Sequence, residues 1–149
     1  MCGIFGGVYN QINLDSVCKN FITNLSHRGP DGSGFFKNDN TGVFLGNTRL
    51  SILDIDNGSQ PFYSLNNNIV CVQNGEIYNY KEINNNLLRN GYVSHTNCDT
   101  ETILNAYMYE PNNFLSSLNG MFSICIYDQN TNELILARDR IGVKPLYYY

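Results

Sequence analysis

Short apolar segments that occur in pairs around turn-forming residues constrain the fold of this chain most strongly. Each pair has the length and the aromatic or β-branched content of two strands, with Asn, Asp, Thr and Gly concentrated between its members. Strands joined by so short a turn pair antiparallel. The sequence therefore predicts a first strand at residues 4–9 and hairpins at residues 34–37 with 43–50, 62–65 with 69–73, and 122–127 with 134–137.

Helical patterns fill the segments between these strands. Residues 14–25 place their apolar side chains at the 3.6-residue spacing of an amphipathic helix. Two further helices are predicted at residues 80–90, capped by Asn79, and at residues 99–107, capped by Asp99. Antiparallel hairpins with helices grouped between them predict a single domain of the α+β class, built in layers.

Composition narrows the choice of partners. The 149 residues carry a net charge of -4, which argues against a nucleic-acid surface or an anionic membrane surface. No charged and apolar leader opens the chain, and no apolar run approaches the ~18 residues of a membrane span, so neither is expected. The five cysteines and two histidines are too scattered for a metal site or a disulfide framework, and they fit a reducing, cytoplasmic setting.

Cys2 stands where removal of the initiator Met1 would make it the N-terminal residue. A terminal Cys carries its own base, since the α-amine has a pKa near ~8 and the thiol near ~8.5 in model peptides. The thiolate that forms is a nucleophile. The alternative is an ordinary buried cysteine in a first strand, and these first residues alone leave both interpretations open.

Six motifs follow Met1 in order along the chain. They are CGIFG at residues 2–6, HRGPD at 27–31, RLSI at 49–52, NGEIYNY at 74–80, DTE at 99–101 and RDRIGVKPLYY at 138–148. In this order they resemble the glutaminase domain of the glutamine-hydrolysing asparagine synthetases, which are class II, N-terminal-nucleophile glutamine amidotransferases. The resemblance implies the four-layer αββα sandwich of N-terminal nucleophile hydrolases, here truncated at its C-terminus.

The resemblance also implies a reaction. Cys2 attacks the side-chain amide of glutamine, ammonia leaves, and water hydrolyses the thioester to glutamate. The oxyanion is held by the Asn74 side chain and by the backbone N–H of Gly75, which we expect at a strand-to-loop junction. Arg49 pairs with the substrate α-carboxylate, in a contact that can be bidentate. By the same resemblance, the other substrate-binding residues are Leu50, Ser51, Ile52, Leu53, Glu76 and Asp99, the last two facing the α-ammonium.

Several of these residues have a structural alternative. Arg49 could sit in solvent at a strand end, Asp99 could serve as a helix cap, and Glu76 could be a surface residue. His27 fits loop packing better than catalysis. An ion-pair cluster that holds the last hairpin is predicted at Arg138, Asp139 and Arg140.

The chain departs from the family at two positions and at its end. Asn47 replaces the usual His of the arginine motif, and Cys98 replaces the usual Ser, which puts an extra thiol near the pocket. Family members continue beyond the position of Tyr149 with further strands and a synthetase domain that uses ATP. We therefore expect residues 1–149 to be an amidotransferase domain, incomplete at its C-terminus, without a synthetase domain.

The sequence is compatible with two functions. In the first, the chain is a working glutaminase that serves asparagine synthesis from aspartate, with glutamine as substrate and a synthetase subunit or domain as partner. It needs no cofactor itself, and ATP and Mg enter only with the synthetase. In the second, it is a truncated, catalytically weak remnant that binds glutamine or a partner, because missing strands would leave an unpaired edge.

Overall fold

Two antiparallel sheets and their flanking helices make up the computed structural model, which describes residues 2–9 and 13–149. The strands are β1 (Gly3–Val8), β2 (Gly32–Asn38), β3 (Val43–Arg49), β4 (Phe62–Tyr63), β5 (Ile69–Ile77), β6 (Gly120–Asp128) and β7 (Glu133–Arg138). The helices are α1 (Leu14–Leu25), α2 (Tyr80–Arg89), α3 (Asp99–Tyr109) and α4 (Phe114–Ser117), and a 3-10 turn spans Ser26–Arg28. The strand orders are β1-β3-β2 and β4-β5-β6-β7.

Three apolar clusters define the layers of the fold. The first lies between the two sheets, where Leu45 of β3 meets Val72 of β5 and Tyr127 of β6. The second joins α1 to the outer face of the first sheet, and the third joins α2, α3 and α4 to the outer face of the second. The order helix, sheet, sheet, helix confirms the four-layer αββα sandwich.

The helices differ in how deeply they lie. α1 buries only Leu14 and Cys18, whereas α3 is buried along Asp99–Tyr107 because β5 lies on one side of it and α2 and α4 on the other. Burial of α3 places its first residue, Asp99, deep beside β5. No helix in the described part of the chain is both long enough and apolar enough to cross a membrane.

β5 extends past its predicted end at residue 73, so the expectation that Asn74 and Gly75 lie at a strand-to-loop junction is wrong. Both residues pair with β6, Asn74 opposite Ser123 and Gly75 opposite Phe122. The strand continues through Gly75 because the missing side chain of this residue admits the backbone of β6. A Cβ atom on Gly75 would lie only 2.6 Å from the Cα of Phe122.

Candidate active site

A cavity of about 130 Å³ opens beside Cys2, the ends of β3 and β5 and the start of α3. It is smaller than the ~300–1,000 Å³ pockets that hold drug-sized ligands, so it suits a small metabolite. Nine of the ten predicted site residues line it, namely Cys2, Arg49, Leu50, Ile52, Leu53, Asn74, Gly75, Glu76 and Asp99. The structure adds Gly58, Gln60, Gln73, Cys98, Thr100, Met121 and Lys144 to the lining.

Cys2 lies just before β1, lines the cavity and is only partly buried. The backbone N–H of Leu50 points at its Sγ atom over 3.4 Å, and Nε of Arg28 donates to its carbonyl oxygen over 3.2 Å. The Sγ atom also lies 3.7 Å from Leu50 O, so the backbone of Leu50 places both a donor and an acceptor beside the sulfur. Cys2 is therefore not the ordinary buried cysteine that was the alternative.

The other four cysteines are buried. Burial raises the pKa of Cys18 to about 11 and the pKa of Cys125 to about 12, and it also raises the pKa of Cys71. Cys98 shares the cavity, yet burial raises its pKa too. Because a thiol is inert while protonated, these residues are poor nucleophiles at neutral pH.

Arg49 is 8 % exposed, so the alternative of an arginine in solvent is wrong. Its Nη1 atom donates to Ile55 O over 2.9 Å, while Nη2 donates to Leu53 O over 3.0 Å and to Asp54 O over 2.8 Å. Three of the five N–H donors of a guanidinium are thus used. A bidentate pair through the two Nη atoms would require a loop carbonyl to give way. Among the described residues, one Nη1 N–H and the Nε N–H of Arg49 have no acceptor.

The edge of β5 that faces away from β6 supplies backbone N–H groups beside the cavity. The N–H of Gln73 donates to Oε1 of Gln60 over 2.7 Å, and the N–H of Ile77 donates to Oδ2 of Asp99 over 2.8 Å. Alternate residues of an antiparallel strand direct their N–H groups to the same edge. The N–H of Gly75, midway between them, therefore points the same way, toward the cavity that Gly75 lines.

The side chain of Asn74 lies on the face of β5 that packs against the first sheet. It alternates with Val70 and Val72, whose side chains pack between the two sheets. Asn74 is 4 % exposed, and its side chain accordingly faces the first sheet, where β1 follows Cys2. A side-chain amide and a backbone N–H from adjacent residues thus flank the cavity that Cys2 also lines.

Asp99 is a buried carboxylate at the first turn of α3, and its predicted role as a helix cap is wrong. Cys98 occupies the cap position, while Oδ2 of Asp99 reaches β5 and accepts from Ile77 N and from Nε2 of Gln73 over 3.2 Å. Burial raises the pKa of Asp99, and the nearby Glu76 carboxylate adds to the increase. Two carboxylates and the guanidinium of Arg49 thus line one small cavity, an arrangement complementary to a ligand with both charges.

A buried amide network, absent from the sequence predictions, supports Asp99. Thr100 Oγ1 donates to Oε1 of Gln73 over 2.8 Å, and Nε2 of Gln60 donates to Thr100 Oγ1 over 3.2 Å. Gln73 is 2 % exposed and ends the fully buried run Val70 to Val72. The sequence signal for this network was the polar Gln73 directly after a run of apolar strand residues, because a buried polar side chain needs hydrogen-bond partners.

Residues outside the cavity have structural contacts. Ser51 is not among the lining residues, and its backbone N–H donates to Oδ2 of Asp31 over 2.8 Å. Its predicted role in substrate binding stays a prediction. His27 is exposed, with Nδ1 within 3.0 Å of Asn24 O, in agreement with a packing role in the loop.

The predicted ion-pair cluster near the end of the chain is wrong in its chemistry. Arg138 donates to Lys144 O over 2.6 Å, Arg140 donates to Leu118 O over 3.0 Å, and Asp139 accepts from the backbone N–H of Lys144 over 2.9 Å. The side chains of Arg138, Asp139 and Arg140 thus bind backbone groups, whereas Lys37 forms ion pairs with Asp15 and Asp39. The cluster fixes the segment that brings Lys144 to the cavity.

Comparison with known proteins agrees with the fold and the motifs. A family model for the glutamine amidotransferase domain matches residues 1–149. Asparagine synthetase [glutamine-hydrolyzing] 1 of Bacillus subtilis is 40% identical over 99% of this chain, and asparagine synthetase B of Escherichia coli is 36% identical over 99%. The chain spans about a quarter of their length, 24% and 26% respectively.

A solved structure gives the same result for the fold. The glutamine phosphoribosylpyrophosphate amidotransferase of B. subtilis superposes with a TM-score of 0.78 at 21% identity, over 97% of this chain and 38% of its own. The family match over the whole chain confirms the resemblance found in the sequence motifs. The chain therefore belongs to the glutamine amidotransferase domain family, and glutamine-hydrolysing asparagine synthetases are among its relatives.

Proposed function

We propose that this chain hydrolyses glutamine to glutamate and ammonia through a thioester on Cys2. The observation that carries the proposal is the convergence of three groups in one small cavity. These are a partly exposed thiol beside an N–H donor, the open edge of β5, and side chains of both charges. Membership of the amidotransferase family supports the same chemistry.

The base in this proposal is the α-amine of Cys2. Removal of Met1 frees that amine, whose ordinary pKa of about 8 lets it accept the thiol proton near neutral pH. Sγ then bonds to the amide carbon of the glutamine side chain. The α-ammonium gives its proton to the departing nitrogen, and ammonia leaves. Water adds to the thioester with the amine again as base, which releases glutamate and restores the thiol.

Asn74 and Gly75 are the donors to the negative oxygen of the tetrahedral intermediate. The inferred direction of the Gly75 N–H and the face on which Asn74 lies both favour this role. Donors already aimed at the developing charge cost no reorganisation during the reaction, and each such donor is typically worth about 3 kcal/mol. A kcat effect, rather than a binding effect, is the signature of these two residues.

The charged side chains orient the other end of glutamine. Asp99 faces the α-ammonium together with Glu76, and Arg49 faces the α-carboxylate through its Nη1 and Nε donors. Because Nη2 already serves two carbonyls, the contact with the carboxylate involves fewer bonds than a bidentate pair. Leu50, Ile52 and Leu53 complete the wall behind the substrate.

The ammonia produced serves asparagine synthesis, as the names of the relatives suggest. Its consumer is a synthetase domain or subunit in the cytoplasm, which would bring ATP and Mg. The glutaminase step itself uses only the side chains and the amine described above.

Two matched variants test the proposed function. Cys2→Ala and Cys98→Ser each remove one of the two thiols that line the cavity. We expect Cys2→Ala to abolish glutamate release from glutamine while Cys98→Ser retains most of it, since burial keeps Cys98 protonated. Calorimetric titration of Cys2→Ala should still show glutamine binding. Glutamate release by Cys2→Ala would refute the proposal, and binding without turnover by the wild type would reduce the chain to a glutamine-binding module.

A further inference from the structure

Residues 50–58, here called the Arg49 loop, begin the connection from β3 to β4, and four of them line one wall of the cavity. The guanidinium of Arg49 holds three carbonyls of this loop, and the N–H of Gly58 closes it by donating to Asp54 O over 2.7 Å. Gly58 is buried, and any side chain there would meet Nη2 of Arg49. The position of the guanidinium is therefore tied to the shape of the loop.

A second wall of the cavity includes Cys98 and Asp99, and residues 95–97 lead into it. Both carboxylate oxygens of Glu101 accept from this segment, Oε1 from His95 N over 2.9 Å and Oε2 from Thr96 N over 2.7 Å. Cys98 and Asp99 follow directly and line the cavity. Glu101 thus fixes the segment from the side of the helix.

Asp54 connects the two walls. Its Oδ2 accepts from the backbone N–H of Asn97 over 2.7 Å, and its Oδ1 accepts from Nδ2 of Asn57 over 3.0 Å. The N–H of Asn97 lowers the pKa of Asp54, so the carboxylate stays ionised and the bond is charge-assisted. Asp54 is not itself a lining residue, and it has a left-handed φ of 44° that aspartate tolerates.

We propose that Asp54 is a positioning residue, whose bond to Asn97 fixes the separation between Arg49 on one wall and Asp99 on the other. One amino-acid substrate must meet both charges at once, so this separation sets how well its two ends fit. The inference rests on the proposed function and adds to it a residue that touches no reacting atom. Gln60 still bonds to Thr100 when Asp54 is changed, so the walls should loosen without coming apart.

Three variants test the role of Asp54. Asp54→Gly keeps the left-handed backbone and removes the carboxylate, whereas Asp54→Asn keeps both the backbone and an oxygen acceptor. Asn67→Gly, at φ 58° in the exposed turn before β5, is the matched control for a glycine in this conformation. We expect Asp54→Gly to raise KM for glutamine about tenfold with kcat nearly unchanged. Asp54→Asn should raise KM less, because its amide oxygen can still accept from Asn97 N while its NH2 group faces the donors of Asn57. Asn67→Gly should resemble the wild type.

A wild-type KM in Asp54→Gly, or a fall in kcat alone, would overturn the positioning role. Amide hydrogen exchange separates this failure from failure of the proposed function. Asp54→Gly should speed exchange at the Asn97 amide about tenfold or more while exchange at Ile83 in α2 stays constant. If the wild type does not turn over glutamine but this change occurs, the glutaminase proposal fails and the link between the walls stands. Unchanged exchange at Asn97 refutes the link whatever the activity.

Discussion

Asp99→Asn should change substrate binding and stability in opposite directions. The carboxylate oxygen Oδ2 accepts from Ile77 N and from Gln73 Nε2. An asparagine side chain can present its own oxygen to the same two donors, so the fold keeps both bonds. The variant loses the negative charge beside Glu76, and this is the charge that we propose binds the substrate ammonium.

The loss of binding follows from the burial of this site. Breaking one side of a buried ion pair typically costs about 3–5 kcal/mol, and about 1.4 kcal/mol corresponds to tenfold in affinity. Glu76 remains and offsets part of the loss, so we expect glutamine affinity to fall by about 100-fold.

Stability should change the other way. The folded state raises the pKa of Asp99 above its value in the unfolded chain, chiefly because burial disfavours the charge. Below the pKa of the unfolded chain Asp99 is neutral in both states, so its burial does not lower the free energy of unfolding. As pH rises from the unfolded pKa through the folded pKa, burial of the charge lowers the free energy of unfolding, and this loss persists at higher pH. Asp99→Asn removes that penalty. At pH 7 its Tm should equal or exceed the wild-type Tm, and the difference should shrink on acidification.

Calorimetric titration with glutamine and thermal unfolding at several pH values measure both effects. Asp99→Ala serves as the contrast, since it leaves the Ile77 and Gln73 donors unpaired at a cost of about 1–3 kcal/mol each and should lower Tm. If Asp99→Asn binds glutamine as tightly as the wild type, Asp99 is not the ammonium partner. If its Tm falls at pH 7, the burial penalty is offset by contacts that the asparagine cannot make.

The remaining predictions concern packing and pH. Asn47 is fully buried between β1 and β2, and neither atom of its side-chain amide has a partner within the described chain, so Asn47→Leu should raise Tm by an amount equivalent to about 1–3 kcal/mol. A fall in Tm would contradict this. Gly58→Ala should displace the Arg49 guanidinium and raise KM, whereas Gly32→Ala, where a Cβ meets nothing within 4 Å, should not. Equal KM values would refute the steric argument. Because burial raises the pKa of Asp99, wild-type glutamine affinity should start to fall on acidification at a pH above that expected for an ordinary aspartate of pKa 3.8. A pH-independent affinity would exclude its charge from binding.

The sequence patterns predicted the layered α+β fold because strand and helix periodicities report burial directly. They failed where one residue type has two local uses. Gly75 was expected where β5 gives way to a loop, yet it is a strand residue, and the adjacent β6 backbone leaves no room for a Cβ there. Such an approach between segments far apart in the chain has no local signal.

The same limit applies to the charged residues of the site. The motifs identified Arg49 and Asp99, but the partners of both include backbone groups outside those motifs, the 53–55 carbonyls and the Ile77 N–H. Composition does not indicate where a backbone N–H or carbonyl will lie in the fold. Arg138 and Asp139 likewise suggested an ion pair by their opposite charges, although each binds backbone instead.

The most direct test of the account is to detect the thioester itself. Wild-type protein mixed with glutamine, quenched in acid within one turnover and digested, should yield an N-terminal peptide that begins at Cys2 and carries one added glutamyl group by mass spectrometry. Asn74→Ala should accumulate the adduct far more slowly, since loss of an oxyanion donor typically costs about 100-fold or more in kcat. Glutamate release without any adduct on Cys2, or with Met1 still attached, would contradict the central claim.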